Sequence, residues 1–198
     1  PQIEALNPSV NTFATEGGDL LTLIGTNFGP VRADNNVSAW YANSALSNLA
    51  GTTFNATACT VIAADVQMEC EVAPGVGHKQ HWWVRVGVQA SDWSPLETRY
   101  ASPVVVELST ALGSAIGGTP VTLHGVNFGP VDPRNHVRGL YTASGGVDRT
   151  YVEGFLFVAN DCVFTVAHEK MECTTVPGIG GNLRWQAIVG SQASMCSE

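Results

Sequence analysis

Hydrophobic positions in this chain come in short bursts rather than long periodic runs. Leu20-Leu21-Thr22-Leu23-Ile24 and Pro120-Val121-Thr122-Leu123-His124 are short and partly alternating. Side chains of a strand point to opposite faces in turn, so this pattern predicts strands over residues 19–25 and 119–125. Similar bursts predict strands over 37–41, 59–62, 66–72, 82–88, 104–108 and 151–158. Turn residues separate them. No window of 11 or more residues carries a convincing helical period, and the segment 44–50 has room for one helical turn only. Many short strands at regular spacing predict an all-β chain built as a sandwich.

The same pattern occurs twice. Gly25-Thr26-Asn27-Phe28-Gly29-Pro30-Val31 returns as Gly125-Val126-Asn127-Phe128-Gly129-Pro130-Val131, an offset of 100. Further on the offset becomes 103: Met68-Glu69-Cys70 returns as Met171-Glu172-Cys173, and Gln89-Ala90-Ser91 as Gln192-Ala193-Ser194. The three-residue slip is expected in the loop at Gly145-Gly146, because loops accept insertions. Self-similarity at this period means two copies of one unit, expected over residues 1–101 and 102–198. With no flexible linker between them, a semi-rigid pair is expected. Residues 92–100 form the expected last strand of unit 1, whereas unit 2 stops at Met195-Cys196-Ser197-Glu198. Unit 2 is therefore expected to lack its final strand and to carry an unpaired sheet edge.

The Gly-x-Asn-Phe-Gly-Pro turn has a mechanical reading. Gly25 and Gly125 allow a bulge or a positive φ as the strand ends. Asn27 and Asn127 tolerate the left-handed conformation. Phe28 and Phe128 then plug the end of the sandwich, and the Gly-Pro pair stops the strand. Together with the openings Pro1-Gln2-Ile3 and Pro103-Val104-Val105, the Gly17-Gly18 and Gly117-Gly118 pairs and the Met-Glu-Cys and Pro-Gly motifs, this resembles the IPT/TIG family, the immunoglobulin-like fold of plexins and transcription factors. The resemblance covers nearly the whole chain, twice. It implies two tandem immunoglobulin-like β-sandwiches. It leaves function open, since the fold serves extracellular proteins, starch-acting enzymes and transcription factors alike.

Five cysteines are present, and four form two pairs 11 residues apart: Cys59 with Cys70, and Cys162 with Cys173. Adjacent antiparallel strands joined by a tight turn bring such cysteines within bridging reach, so two disulfides and an oxidising compartment are expected. Asn36-Val37-Ser38 and Asn55-Ala56-Thr57 are N-glycosylation sequons, which makes Asn36 and Asn55 candidate glycan sites. Charged residues are only 13% and the net charge is −8, which disfavours nucleic acid and anionic membrane surfaces as partners. No apolar stretch is long enough to span a membrane.

Candidate chemistry is sparse. His78, His81, His124, His136 and His168 form no metal-ligand spacing, and no nucleophile elbow or phosphate loop occurs. Asp34-Asn35-Asn36 and Asp132-Pro133-Arg134-Asn135 occupy matching loops without an EF-hand pattern, so solvated loops are expected. No catalytic residue, metal or cofactor is assigned. Of five tryptophans, Trp82 and Trp185 hold equivalent strand positions that fit a core, while Trp83 and Trp93 are candidates for exposed contacts. The expected function is a non-enzymatic extracellular or cell-surface structural and adhesive module acting through protein partners or self-association. Carbohydrate-binding accessory domains are the alternative, and an intracellular DNA-binding or dimerising domain is disfavoured by charge and cysteines. The open edge of unit 2 leaves two expectations: the natural chain continues past Glu198 and completes its own sheet, or a homopolymer forms in which a neighbouring copy donates its N-terminal segment, Pro1-Gln2-Ile3 to Leu6 or residues before it, and Cys196 locks the contact by an intermolecular disulfide.

Overall fold

The structure, a computed structural model, describes residues 1–7, 12–32, 36–43, 53–109, 112–132, 135–143 and 156–197. It divides into two compact units, Pro1–Ala101 and Ser102–Glu198. The described residues form strands and no helix. Unit 1 contains β1 (Gln2–Asn7), β2 (Thr12–Phe13), β3 (Leu20–Thr26), β4 (Val37–Asn43), β5 (Thr53–Asn55), β6 (Thr57–Ala63), β7 (Gln67–Glu71), β8 (Gln80–Val86), β9 (Gln89–Ala90) and β10 (Glu97–Tyr100). One sheet runs β1-β3-β7-β6, and the other runs β2-β10-β8-β4-β5 with β9 beside β8. Unit 2 contains β11 (Val104–Leu108), β12 (Pro120–Val126), β13 (Val137–Ala143), β14 (Leu156–Val158), β15 (Asn160–Val166), β16 (Lys170–Thr174), β17 (Leu183–Val189) and β18 (Gln192–Ala193). Its sheets run β11-β12-β16-β15 and β14-β13-β17-β18.

The alternation read from the sequence is the alternation of burial. In β3, Leu21 and Leu23 are fully buried while Leu20 faces out at 57% exposure. Their counterparts Val121 and Leu123 are buried in β12. The second sheet adds the aromatic half of each core. Tyr41 stacks on Trp82 at 4.1 Å in unit 1, and Tyr141 stacks on Trp185 at 4.5 Å in unit 2. Edge-on packing of Phe13 against Trp82 and Tyr100 completes the core of unit 1. The offset of 100 holds from β3 and β12 through β4 and β13 and is 103 from β5 and β14 onward. The insertion therefore lies within residues 144–155, which include Gly145-Gly146 and lie outside the described residues, as do the segment 44–50 and the first part of the strand expected over 151–158. The strand expected over 82–88 starts earlier and ends at Val86, because Gly87 and Val88 turn into β9.

The repeated turn does what its residues require, with one correction. Asn27 and Asn127 adopt φ of 60° and 62°, in the left-handed region that asparagine tolerates. Phe28 and Phe128 are fully buried. Of the two expectations for Gly25 and Gly125 the bulge holds and the positive φ does not: the ladder slips beside them, between Ile3 and Ala5 and between Val105 and Glu107. A Cβ on Gly25 would lie 1.9 Å from the Gln2 carbonyl oxygen, and one on Gly125 would lie 2.0 Å from that of Val104. Glycine is needed there because the neighbouring strand passes too close for any side chain.

Candidate functional site

Cysteine placement follows from a slipped ladder. The β6–β7 register shifts between Thr57 and Thr60, with Ala58 at a φ of 49°. Within that slip Cys59 is bonded to Cys70, with their Cα atoms 4.1 Å apart. Unit 2 repeats the arrangement. The β15–β16 ladder shifts between Asn160 and Val163, Asp161 takes a φ of 51°, and Cys162 is bonded to Cys173. Both bonds tie neighbouring strands of the same sheet.

Two buried tyrosines of unit 1 form a closed loop of hydrogen bonds. Ala73 N–H donates to the Tyr41 hydroxyl at 3.0 Å, the two tyrosine hydroxyls lie 2.6 Å apart, and the Tyr100 hydroxyl donates to the Ala73 carbonyl at 2.6 Å. Burial pushes both phenols well above their ordinary value. The loop ties β4 to β10 and is a structural lock. In unit 2 the Tyr141 hydroxyl spans Val176, accepting from its N–H at 2.9 Å and donating to its carbonyl at 3.2 Å.

The outer face of the β8–β4 sheet in unit 1 carries the more notable feature. Cross-strand pairing sets Asn55 of β5 opposite Trp40 of β4, and Trp40 opposite Trp83 of β8. Directly opposed residues share a face, so these side chains form a row across the sheet. Trp40 and Trp83 stack with centroids 5.9 Å apart, and Trp83 meets Trp93 at 4.3 Å. Trp40 and Trp83 are half-buried, and Trp93 is 43% exposed. The sequence singled out Trp83 and Trp93 but could not place Trp40 beside them, since only strand register joins the three. One rank along the sheet, His81 lies 3.4 Å from Glu97, with its Nδ1–H donating to the Ser94 carbonyl at 2.9 Å. In unit 2 the corresponding row reads Val158, Leu140, Gln186 and Cys196.

Other candidate residues are placed as follows. Asn36 and Asn55 are both exposed. Among the described residues no group of three His, Cys, Asp or Glu side chains could hold a metal ion. Residues 33–35 and 133–134 of the matching loops lie outside the described residues. Pro1-Gln2-Ile3 is not a spare arm: Gln2 and Ile3 lie in β1, paired with Thr26 and Gly25 of β3, and Ile3 and Leu6 are buried. Donating this strand to another copy would first break its ladder to β3 and open the core of its own unit that Ile3 and Leu6 fill. Cys196 is not at an exposed edge: it is free but buried. Among the described residues no strand of unit 2 lies beside β17 where β10 lies beside β8; residues 194–197 run along β17 as 91–94 run along β8.

The family described as "IPT/TIG domain" matches residues 1–100 and again 103–198. Plexin-A2 of Mus musculus is 33% identical over 86 residues, covering 43% of this chain and 4% of plexin-A2. Plexin-A2 of Homo sapiens matches to the same extent. The chain thus aligns with only a small part of the length of these relatives. Among solved structures, SGBP-B from a complex xyloglucan utilization locus in Bacteroides uniformis aligns at 17% identity and a TM-score of 0.36, over 98% of this chain and 47% of that one. The plexin A4 full extracellular region aligns at 16% identity and a TM-score of 0.35, over 95% and 14%.

Proposed function

The chain belongs to the IPT/TIG family, with one domain in each half, and on that premise we propose that it is a non-catalytic extracellular or cell-surface module that works through protein–protein contact. The observation that supports this most is the pair of equivalent disulfides, one in each unit. Disulfides persist in oxidising compartments and are rare where glutathione keeps thiols reduced. A strand-tied sandwich is a stiff scaffold, and its faces and loops are free to carry contacts. The test is peptide mapping of the native protein under nonreducing conditions, together with surface labelling of unpermeabilised cells. Both disulfides and accessible label are expected. Free thiols at Cys59, Cys70, Cys162 and Cys173 in native material would overturn the reading.

A second reading, carbohydrate recognition, is favoured by the row of Trp40, Trp83 and Trp93. Indole faces suit the apolar C–H faces of sugar rings, and three rings on one strand-to-strand line offer a continuous platform. Glycan-array binding that is lost in Trp83→Ala and Trp93→Ala would support it, and an array without signal would count against it.

A further inference from the structure

The tryptophan row begins at an acceptor for a sugar. Asn55 heads the sequon Asn55-Ala56-Thr57, and it is the residue paired across from Trp40. Asn55 and Thr57 are both exposed. Among the described residues β5 is the last strand of its sheet, and no described strand pairs beyond it. A bulky substituent on Asn55 therefore has room, and the side of the sheet that it shares with Trp40 is the side of the indoles.

We propose that Asn55 is N-glycosylated and that the core sugars of this glycan lie along Trp40 and Trp83, so that the aromatic row is covered by the chain's own carbohydrate. Transfer joins the Asn55 Nδ2 to the anomeric carbon of an N-acetylglucosamine. The bond from that carbon to a lipid pyrophosphate donor breaks, the lipid pyrophosphate leaves, the amide nitrogen gives up one proton, and no group is oxidised or reduced. Sugar C–H groups then cover indole surface that otherwise faces water, and the reducing-end residue is tethered, so little entropy is lost on docking. The two units of the chain supply a second, independent argument. Where unit 1 has Asn55, Trp40, Trp83 and Trp93, unit 2 has Val158, Leu140, Gln186 and Cys196. The acceptor and all three indoles are absent from that row together, as expected if they serve one purpose.

This inference rests on the secreted reading proposed above, and one preparation separates the two. The full chain is secreted from cultured animal cells as wild type, Asn55→Gln, Thr57→Ala and Asn36→Gln. Peptide mass spectrometry reads occupancy and disulfides, and tryptophan emission with acrylamide quenching is read before and after enzymatic removal of N-glycans. The expected result is glycan on the Asn55 peptide, lost in both Asn55→Gln and Thr57→Ala. Deglycosylation should red-shift emission and increase quenching in wild type and in Asn36→Gln, but not in the two variants that lack the Asn55 glycan. Nuclear Overhauser contacts between N-acetylglucosamine and indole protons should accompany it. An unmodified Asn55 beside intact Cys59–Cys70 and Cys162–Cys173 disulfides overturns the inference and leaves the secreted reading standing; reduced cysteines at those positions overturn both. An occupied Asn55 with unchanged emission and quenching places the sugar away from the indoles and also overturns it. So does a soluble oligosaccharide that binds the glycosylated wild type and is lost in Trp83→Ala, since the row would then be free for another ligand.

Discussion

Replacing Tyr100 with Phe removes one oxygen from the closed loop in unit 1, and the cost can be followed atom by atom. The lost hydroxyl lies 2.6 Å from the Tyr41 hydroxyl and 2.6 Å from the Ala73 carbonyl. In Tyr100→Phe the Tyr41 proton still finds the Ala73 carbonyl, 3.3 Å away, and the Ala73 N–H keeps its acceptor on Tyr41. Neither Tyr41 nor Ala73 is left with a stranded group, so within this loop the loss is that of an ordinary hydrogen bond, about 1 kcal/mol. Tyr41→Phe differs, because the Ala73 N–H then loses the acceptor it uses, and the expected cost rises to about 2 kcal/mol. Tyr100→Ala also opens a cavity in a fully buried site and should cost about 3–5 kcal/mol, as aromatic truncations in cores do. The assay is hydrogen exchange with mass spectrometry on the full chain, comparing peptides of β3, β4 and β8 with those of β12, β13 and β17. One to two kcal/mol corresponds to roughly 5- to 30-fold faster exchange. Unit 2 peptides should not change, because Tyr141 makes its own bonds to Val176. A Tyr100→Phe effect larger than that of Tyr41→Phe, or equal acceleration in both units, would refute the reasoning.

Cys59→Ser with Cys70→Ser should lower the stability of unit 1 by about 3 kcal/mol in the chain-entropy account, given a separation of 11 residues, seen as a lower urea midpoint in tryptophan emission. Gly25→Ala should release β1 from β3, since its new Cβ has only 1.9 Å to the Gln2 carbonyl oxygen, whereas Gly87→Ala, with nothing within 4 Å but a φ of 59°, should cost about 1 kcal/mol and leave β1 protected from exchange. Phe128→Ala should cost unit 2 about 3–5 kcal/mol and spare unit 1, measured by the same peptide-resolved exchange. Burial raises the Tyr41 and Tyr100 phenols above their ordinary value of 10.0 in the fold, so their contribution is complete below that pH and is lost as pH rises beyond it. Unit 1 should therefore weaken in alkali, and a urea midpoint unchanged between about pH 9 and about pH 11 would contradict this.

The fold was legible because one turn, Gly-x-Asn-Phe-Gly-Pro, recurs with its strand, and because Leu21, Leu23, Val121 and Leu123 keep the period of two. The two-residue strands β2, β9 and β18 carry no periodicity, so only neighbouring strands reveal them. Cysteine pairing was legible from equal spacing after Met-Glu-Cys. The tryptophan row was half legible: Trp83 is out of phase with the core residue Trp82, which marks it as outward. Its partners Trp40 and Trp93 lie 43 and 10 residues away in the chain. Their meeting depends on register, as does the pairing of Asn55 with Trp40, and no short motif encodes register. Position near the end of unit 2 does not reveal that Cys196 is buried, because its burial depends on packing along β17. Its counterpart in unit 1 is Trp93, at the end of a row.

The pairing of β10 with β2 has a mechanical consequence. The two strands run parallel, with Arg99 opposite Thr12 and Tyr100 opposite Phe13, and the next bond runs from the Ala101 N–H to the Phe13 carbonyl at 2.8 Å. Tension that pulls the two ends of unit 1 apart drags β2 and β10 past each other lengthwise. These bonds are then loaded in shear and must give way together instead of opening one after another like a zipper. Under such a pull, the time that unit 1 endures is set by the rupture rate of this short seam and not by the equilibrium stability of the sandwich behind it.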